Sequence, residues 1–203
     1  MAKKIKSPEE VAAFRERVCL VATQLFAEQG TGNVTMRQIA AKLGVSAMTP
    51  YRYFRDKDEI LATVRAAAFL QFADTLEAAL ARGADALSKA RAVGDAYVAF
   101  AHASPATYHL MFDFEQPDDG PYPELIAANA RARRSMTAYV QEMINEGVFK
   151  GDAEEIGLMF WATIHGILML DLAGALGRDV DPVALRTNTF RLFYEALAAR
   201  SNA

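Results

Sequence analysis

This chain has almost no cysteine: among 203 residues, Cys19 stands alone. An intrachain disulfide is therefore impossible, which excludes a small secreted scaffold held by bridges. Within an apolar helical pattern the lone thiol reads as a core residue, since burial suppresses the thiolate that redox chemistry requires. Histidine is nearly as scarce, limited to His102, His109 and His165. Ser104 and Pro105 break the helical face that His102 and His109 would share, and His165 lacks a His or Cys partner at ligand spacing. The chain also lacks a glycine-rich phosphate loop, a nucleophile elbow and a carboxylate pair in a defensible setting. No catalytic residue, metal ligand or cofactor is assigned. The basic N-terminus, MAKKIKSPEE, has no apolar run of the kind a signal peptide needs, so a cytoplasmic location is expected.

Long apolar runs are missing too, with one exception. Residues 156–177 are nearly all apolar, interrupted chiefly by Thr163, His165 and Asp171. A histidine and an aspartate near the middle are expensive in lipid, and Asp152, Glu154 and Glu155 crowd the start as they do at a soluble helix N-terminus. A buried helix and no membrane partner are expected. With 52% hydrophobic and 23% charged residues, the chain has the balance of an ordered globule rather than a disordered tail.

Neither sign of charge dominates, at 22 Lys/Arg against 25 Asp/Glu, yet the distribution is uneven. Residues 1–60 hold ten Lys/Arg against seven Asp/Glu, or +3; the rest hold twelve against eighteen, or −6. A basic head on an acidic body suits a molecule that offers one end to phosphates.

Apolar residues recur at spacings of three and four throughout, and the breaks are helix caps, not hairpin turns, so the chain is expected to be all-α with about nine helices. The first carries Val11, Phe14, Val18, Val21, Leu25 and Phe26 and ends near Gly30. Two short helices come next within 35–53, then a fourth over about 57–82, a fifth over 84–103 and a short sixth from Pro105 to about Phe114. EQPDDGPYP, 115–123, reads as a loop. A seventh runs from Pro123 to Gly147, an eighth from Asp152 to about Leu176, and a ninth from Asp181 to about Ala199. Residues 1–56 are expected to form a head and 57–203 a body.

The stretch TMRQIAAKLGVSAMTPYRY, 35–53, carries the most information. Thr35 is placed to cap a helix whose Ile39, Ala40 and Leu43 form one apolar stripe. Gly44 supplies the positive φ of a helix end, Val45 the apolar turn residue, and Ser46 a cap for a second helix over about 47–53. Such a pair reads as a helix-turn-helix whose second member enters a major groove. Asp56 and Glu59 read as the cap of the next helix.

The order Ala22, Leu25-Phe26, Gly30, Thr35, Ile39-Ala40, Leu43-Gly44-Val45-Ser46, Tyr51, Tyr53-Phe54, Lys57, Ile60-Leu61 resembles the DNA-binding domain of the TetR family of bacterial transcriptional repressors, over about Val18 to Leu61. The resemblance implies a homodimer on a palindromic double-stranded operator, released by a small organic effector held among the fourth to eighth helices. Positions matching Tyr51, Tyr53 and Lys57 contact phosphates in the family. Thr35 joins them on chemical grounds, and Arg52 belongs to the surrounding basic set with Arg37, Lys42 and Arg55. Arg37, Ala47, Met48 and Thr49 form the base-reading set, Arg37 through guanine, Met48 and Thr49 through thymine methyls. Two positions depart from the pattern. Met48 replaces a usual glycine, and Pro50 replaces an aliphatic residue and removes a backbone donor about one turn into the reading helix.

In the body, apolar residues surround the eighth helix instead of lining one stripe, so it must be covered on most sides. A second copy packed on the eighth and ninth helices would cover it, through Leu168, Leu172, Phe190, Phe193 and Leu197. Trp161-Ala-Thr-Ile-His165-Gly166 resembles a TetR subgroup with a Trp-x-x-x-His-Gly signature. The aromatic and methionine content suggests a pocket for an apolar or aromatic effector, drawn from Phe69, Tyr97, Phe100, Tyr108, Met111, Phe112, Tyr139, Met143, Trp161 and His165. His165 and Asp171, polar within an apolar helix, need partners and are expected either to orient a ligand or to satisfy each other across the dimer contact. The alternatives are an all-helical protein-interaction adaptor, which does not explain the basic head, and an enzyme using His165.

Overall fold

The computed structural model describes residues 7–112 and 121–201, which contain eight α-helices and no strand. They are α1 (Pro8–Gln29), α2 (Met36–Lys42), α3 (Lys57–Leu80), α4 (Ala86–Ala103), α5 (Pro105–Phe112), α6 (Pro123–Asn145), α7 (Ala153–Leu172) and α8 (Pro182–Ser201). The reading helix expected over 47–53 is instead a three-residue 3-10 turn, Pro50–Arg52. The N-terminal segment Met1 to Lys6, Asp113 and Phe114 at the expected end of the sixth helix, and most of the expected 115–123 loop lie outside the described residues.

Caps fix most helix starts where the sequence puts them. Ser7 opens α1 through a reciprocal pair of bonds with Glu10, Asp85 opens α4 through Ser88, and Asp152 opens α7 by accepting from the Glu155 N–H at 2.8 Å. Asp56 accepts from the Glu59 N–H at 2.8 Å, while the Glu59 carboxylate turns to the Arg55 N–H, also at 2.8 Å.

The chain divides into two compact units, 1–69 with 106–129 and 70–105 with 130–203. The expected head–body boundary at 56/57 coincides with the start of α3, whereas the compact units part within α3, after Phe69. The first unit is built on Phe14, Val18 and Phe26 of α1, Ile39 of α2, Phe54, and Ile60, Leu61 and Val64 of α3. Val18, Ile39 and Ile60 are fully buried, each contributing about 1.5 to 3 kcal/mol by leaving water. Leu110 of α5 belongs to the same core.

The second unit is an aromatic cluster between helices. The Phe72 ring meets Tyr97 edge-on at 5.0 Å and Phe100 at 5.0 Å, and Phe160 packs on Phe190 at 5.5 Å and Phe193 at 6.0 Å. At Gly157, α7 approaches α6 so closely that an added Cβ would sit 2.5 Å from the Thr137 methyl carbon. The helix expected to be buried is only partly so. α7 hides Ile156, Gly157, Phe160, Ile164 and Leu168, but just 28% of its most apolar window is buried within this chain.

Candidate functional site

The first candidate site begins at α2. Thr35 accepts from the Gln38 N–H at 3.2 Å, and the Gln38 side chain accepts from the Thr35 N–H at 2.7 Å, so two of the free donors of the first turn are used. Gln38 also donates to Gln29 at 2.9 Å, which ties α2 to the end of α1. At its other end the helix is closed by two bonds, Val45 N–H to the Ala40 carbonyl and Gly44 N–H to the Ala41 carbonyl, both 3.0 Å. That closure needs a left-handed residue, and Gly44 supplies it at φ +69°.

Past the turn, Pro50 decides the backbone. With no N–H at 50, the Ser46 carbonyl cannot take an α-type bond from that residue, and the chain winds by shorter steps instead. Thr49 N–H reaches the Ser46 carbonyl at 2.9 Å, Arg52 reaches Thr49 at 3.2 Å, and Tyr53 reaches Pro50 at 2.9 Å. Ser46 caps no helix; its hydroxyl pairs with that of Thr49 at 2.9 Å. Pro50 is itself buried, so the segment is anchored from beneath.

This geometry sorts the expected DNA-contact residues. Thr35, Arg37, Ala47, Met48, Tyr51 and Arg52 are exposed, Met48 to 68%, and Thr49 is half-buried. Tyr53 packs on Phe14 with ring centroids 4.4 Å apart, and Lys57 donates from Nζ to the Thr31 carbonyl at 2.8 Å. Sequence reasoning missed Arg15. Its guanidinium lies over the Phe54 ring, donates to the Tyr53 carbonyl and pairs with Glu59 at 3.4 Å. An arginine on a helix face carries no sequence signal for this strut. Nearby, burial pushes the Cys19 thiol up to about 11, in keeping with a packing role.

The second candidate site is a cavity of about 550 Å³ among α4, α6, α7 and α8. Tyr97, Tyr139, Met143 and Trp161 of the expected pocket line it. Phe69, Tyr108, Met111 and Phe112 do not. They belong to the first unit, where the Phe69 and Phe112 rings meet edge-on at 5.7 Å and Tyr108 packs on Phe112 at 5.0 Å. Phe100 is buried against Phe72 and also stays out of the wall. His165 is not in the wall either; it reaches the cavity through Tyr97, whose hydroxyl accepts from Trp161 Nε1 at 3.2 Å and pairs with His165 Nδ1 at 3.4 Å. Within the chain, the Asp171 carboxylate pairs with His102 at 3.2 Å.

The missed part of the wall is chiefly α8, through Arg186, Thr187, Phe190, Arg191 and Tyr194, together with Phe149 and the α4 residues Arg91 and Asp95; Phe160 of α7 completes it. Phe190 is thus a cavity residue. Of the other residues expected at a dimer contact, Leu168 and Leu197 are already buried by the chain's own atoms, at 3% and 8% exposure. Leu172 and Phe193 are half-buried.

Two family models match this sequence. One, described as bacterial regulatory proteins of the tetR family, covers residues 20–64; the other, described as the tetracyclin repressor-like C-terminal domain, covers 90–198. The chain belongs to the TetR family. A TetR-type regulator is not an enzyme, which removes the enzyme reading built on His165. An HTH-type transcriptional regulator of Staphylococcus aureus (strain USA300) is 41% identical over 46 residues, 23% of this chain. That match spans 25% of the relative's length, and other S. aureus strains carry relatives with the same figures. Among solved structures, a protein of unknown function from Rhodococcus sp. RHA1 superposes with a TM-score of 0.79 at 26% identity, covering 95% of this chain and 100% of the other. A tetR-family regulatory protein from Rhodococcus RHA1 gives 0.67 at 19% identity over 90% and 96%, and the fatty acid degradation regulator of Bacillus halodurans gives 0.72 at 18% over 93% and 96%. These last two likenesses are of fold alone.

Proposed function

We propose that this TetR-family member is a cytoplasmic homodimeric repressor that binds a palindromic operator and leaves it when a small apolar or aromatic effector fills the cavity. One observation carries the reading: in the stretch Ala47 to Arg52 the buried Pro50 anchors exposed Ala47, Met48, Tyr51 and Arg52, and Arg37, Lys42 and Arg55 nearby in sequence are exposed as well. Residues 1–56 act as the DNA head and 57–203 as the effector and dimer body. Arg37, Ala47, Met48 and Thr49 read base edges, while Tyr51, Tyr53 and Arg52 donate to phosphates, joined by Thr35 once its hydroxyl turns from Gln38, to which it donates at 2.8 Å. Lys57 uses one donor on Thr31 and keeps two for a phosphate.

A second copy covers α7 and α8. Met159 and Leu170 of α7 and Leu192 of α8 are exposed large apolar residues, and between the first two lies Gly166, whose Cβ position is open space. Helices approach closely where such a residue stands, and a two-fold contact of this kind matches the symmetry of a palindrome. We assign the chain to the Trp-x-x-x-His-Gly subgroup on the same helix: Trp161 and His165 meet Tyr97 at the cavity, and Gly166 faces away. Coupling runs from the cavity wall at Tyr97 to Phe72 of α3, a helix continuous back to Lys57. An effector that prefers one placement of that helix lowers DNA affinity by its differential binding to the two states.

Selection from a random duplex pool tests the reading. A recovered palindrome with half-sites about 34 Å apart or slightly more, bound with an affinity that falls steeply as salt rises, is expected. Arg37→Ala should then cost about 1 to 3 kcal/mol on the selected site and little on random DNA. No enriched duplex, or binding indifferent to salt, refutes it.

A further inference from the structure

We infer that the cavity selects an aromatic monocarboxylate, with Arg186 facing the carboxylate and the Tyr139 hydroxyl donating to an oxygen of the ligand. This rests on the effector reading above and adds the charge and class of the ligand.

Three observations carry it. Tyr139 lines the cavity and is only 8% exposed, and among the described residues its hydroxyl has no hydrogen-bond partner. A phenol that faces a cavity and bonds to no protein group keeps its one donor for a ligand atom. Burial also pushes its pKa well above the ordinary tyrosine value, which keeps the group a neutral donor. It is therefore matched to an acceptor, not to an ammonium.

Charge at the cavity points the same way. Its charged lining residues are three arginines, Arg91, Arg186 and Arg191, against one aspartate, Asp95, and with Arg191 paired to Glu195 at 2.9 Å the excess rests on Arg91 and Arg186. Arg186 is the most sheltered ion-pair member of these, with its side chain 18% exposed, and it meets Asp95 at 3.0 Å through one nitrogen while Asp95 itself is 74% exposed. A guanidinium has five donors in a planar fork, so this pair leaves capacity for a carboxylate. A neutral ligand would bring nothing to this excess of positive charge, and a cation would be repelled by it. The body of the ligand is set by rings: Phe149, Phe160 and Phe190 stand with Tyr97 and Trp161 around a space of the size that holds small organic molecules.

The experiment is calorimetric titration of the full-length protein with naphthoate, naphthylmethanol and naphthylmethylamine, which share one ring system and differ in charge. Naphthoate should bind about tenfold or more tighter than the alcohol, and the amine more weakly still. Arg186→Gln should abolish that preference by weakening naphthoate alone, and Arg186→Lys, which keeps the charge, should restore part of it. Tyr139→Phe, which removes one oxygen and no packing, should weaken naphthoate by about three- to tenfold at unchanged melting temperature. Equal binding of the alcohol, or a preference that survives Arg186→Gln in a variant that still melts cooperatively, overturns the carboxylate assignment while leaving the cavity an effector site. Binding of none of the three by the folded protein overturns both readings.

Discussion

The guanidinium of Arg15 sits 3.9 Å from the centre of the Phe54 ring. Through its bonds to the Tyr53 carbonyl and Glu59, the same side chain spans the exit of the reading segment and the first turn of α3. Three weak bonds from one planar group hold a stretch that has little regular structure of its own.

Arg15→Leu should therefore lower stability by about 1 to 2 kcal/mol in urea unfolding and loosen the segment selectively. Amide exchange at Phe54 should accelerate more than exchange in the middle of α1. Arg15→Lys should rescue little, because an ammonium lacks the planar fork that lies over the Phe54 ring while reaching both acceptors. Uniform acceleration across the first unit would show that Arg15 acts on the core instead.

Two glycines of α7 should behave oppositely. Gly157→Ala drives a methyl group into Thr137 and should cost about 1 to 3 kcal/mol of stability through overpacking. Gly166→Arg meets nothing within the chain, so its melting temperature should hold at low concentration while sedimentation shifts toward monomer. A Gly166→Arg protein that sediments as the parent does would move the contact away from this face.

Cys19 should be nearly inert. With its thiol pushed up to about 11 from an ordinary 9.0, chiefly by burial, the thiolate fraction at neutral pH falls about a hundredfold. Alkylation should be slow in buffer and fast in urea. Rapid labelling of the native protein would mean that the first helix opens.

Acid should expose the pair between Glu77 of α3 and Arg131 of α6, 2.5 Å apart. The Arg131 guanidinium holds the Glu77 carboxyl below its ordinary 4.5, helped by the Ser135 hydroxyl. Since the folded value is depressed, the contribution is complete above about 4.5 and is lost as pH falls through the folded value. The stability gap between the parent and Glu77→Gln should stay constant from neutral pH down to about 4.5, then close. Both partners are well exposed, so the gap is small. A gap that widens in acid would contradict the assignment.

The legible parts of this molecule are those whose physics is local. Thr35 and Gly44 are residue types that a helix start and a left-handed stop demand, and the three-four spacing of Val18, Ile39 and Ile60 points each inward. The segment from Ala47 to Tyr53 was not legible in the same way. A proline is tolerated at a helix start, and only the completed turn shows that none begins before it. In the body, periodicity identifies buried aromatics without saying what they are buried against. Phe69 and Tyr139 look alike in sequence, yet one packs on Phe112 and the other borders open space. The α8 arginines carry no sequence signal for a cavity wall, and Leu197 reads as a dimer-contact residue because the sequence does not say which of two apolar directions is the core.

Ala47 and Met48 bury little, bond to nothing that shapes the fold and ride on a turn fixed by Pro50. Substitutions there fall outside the set that folding polices. On the proposed reading, in which these two residues meet base edges, the address is thus free to drift independently of the architecture, and two descendants with identical cores could come to govern different promoters after a handful of point changes.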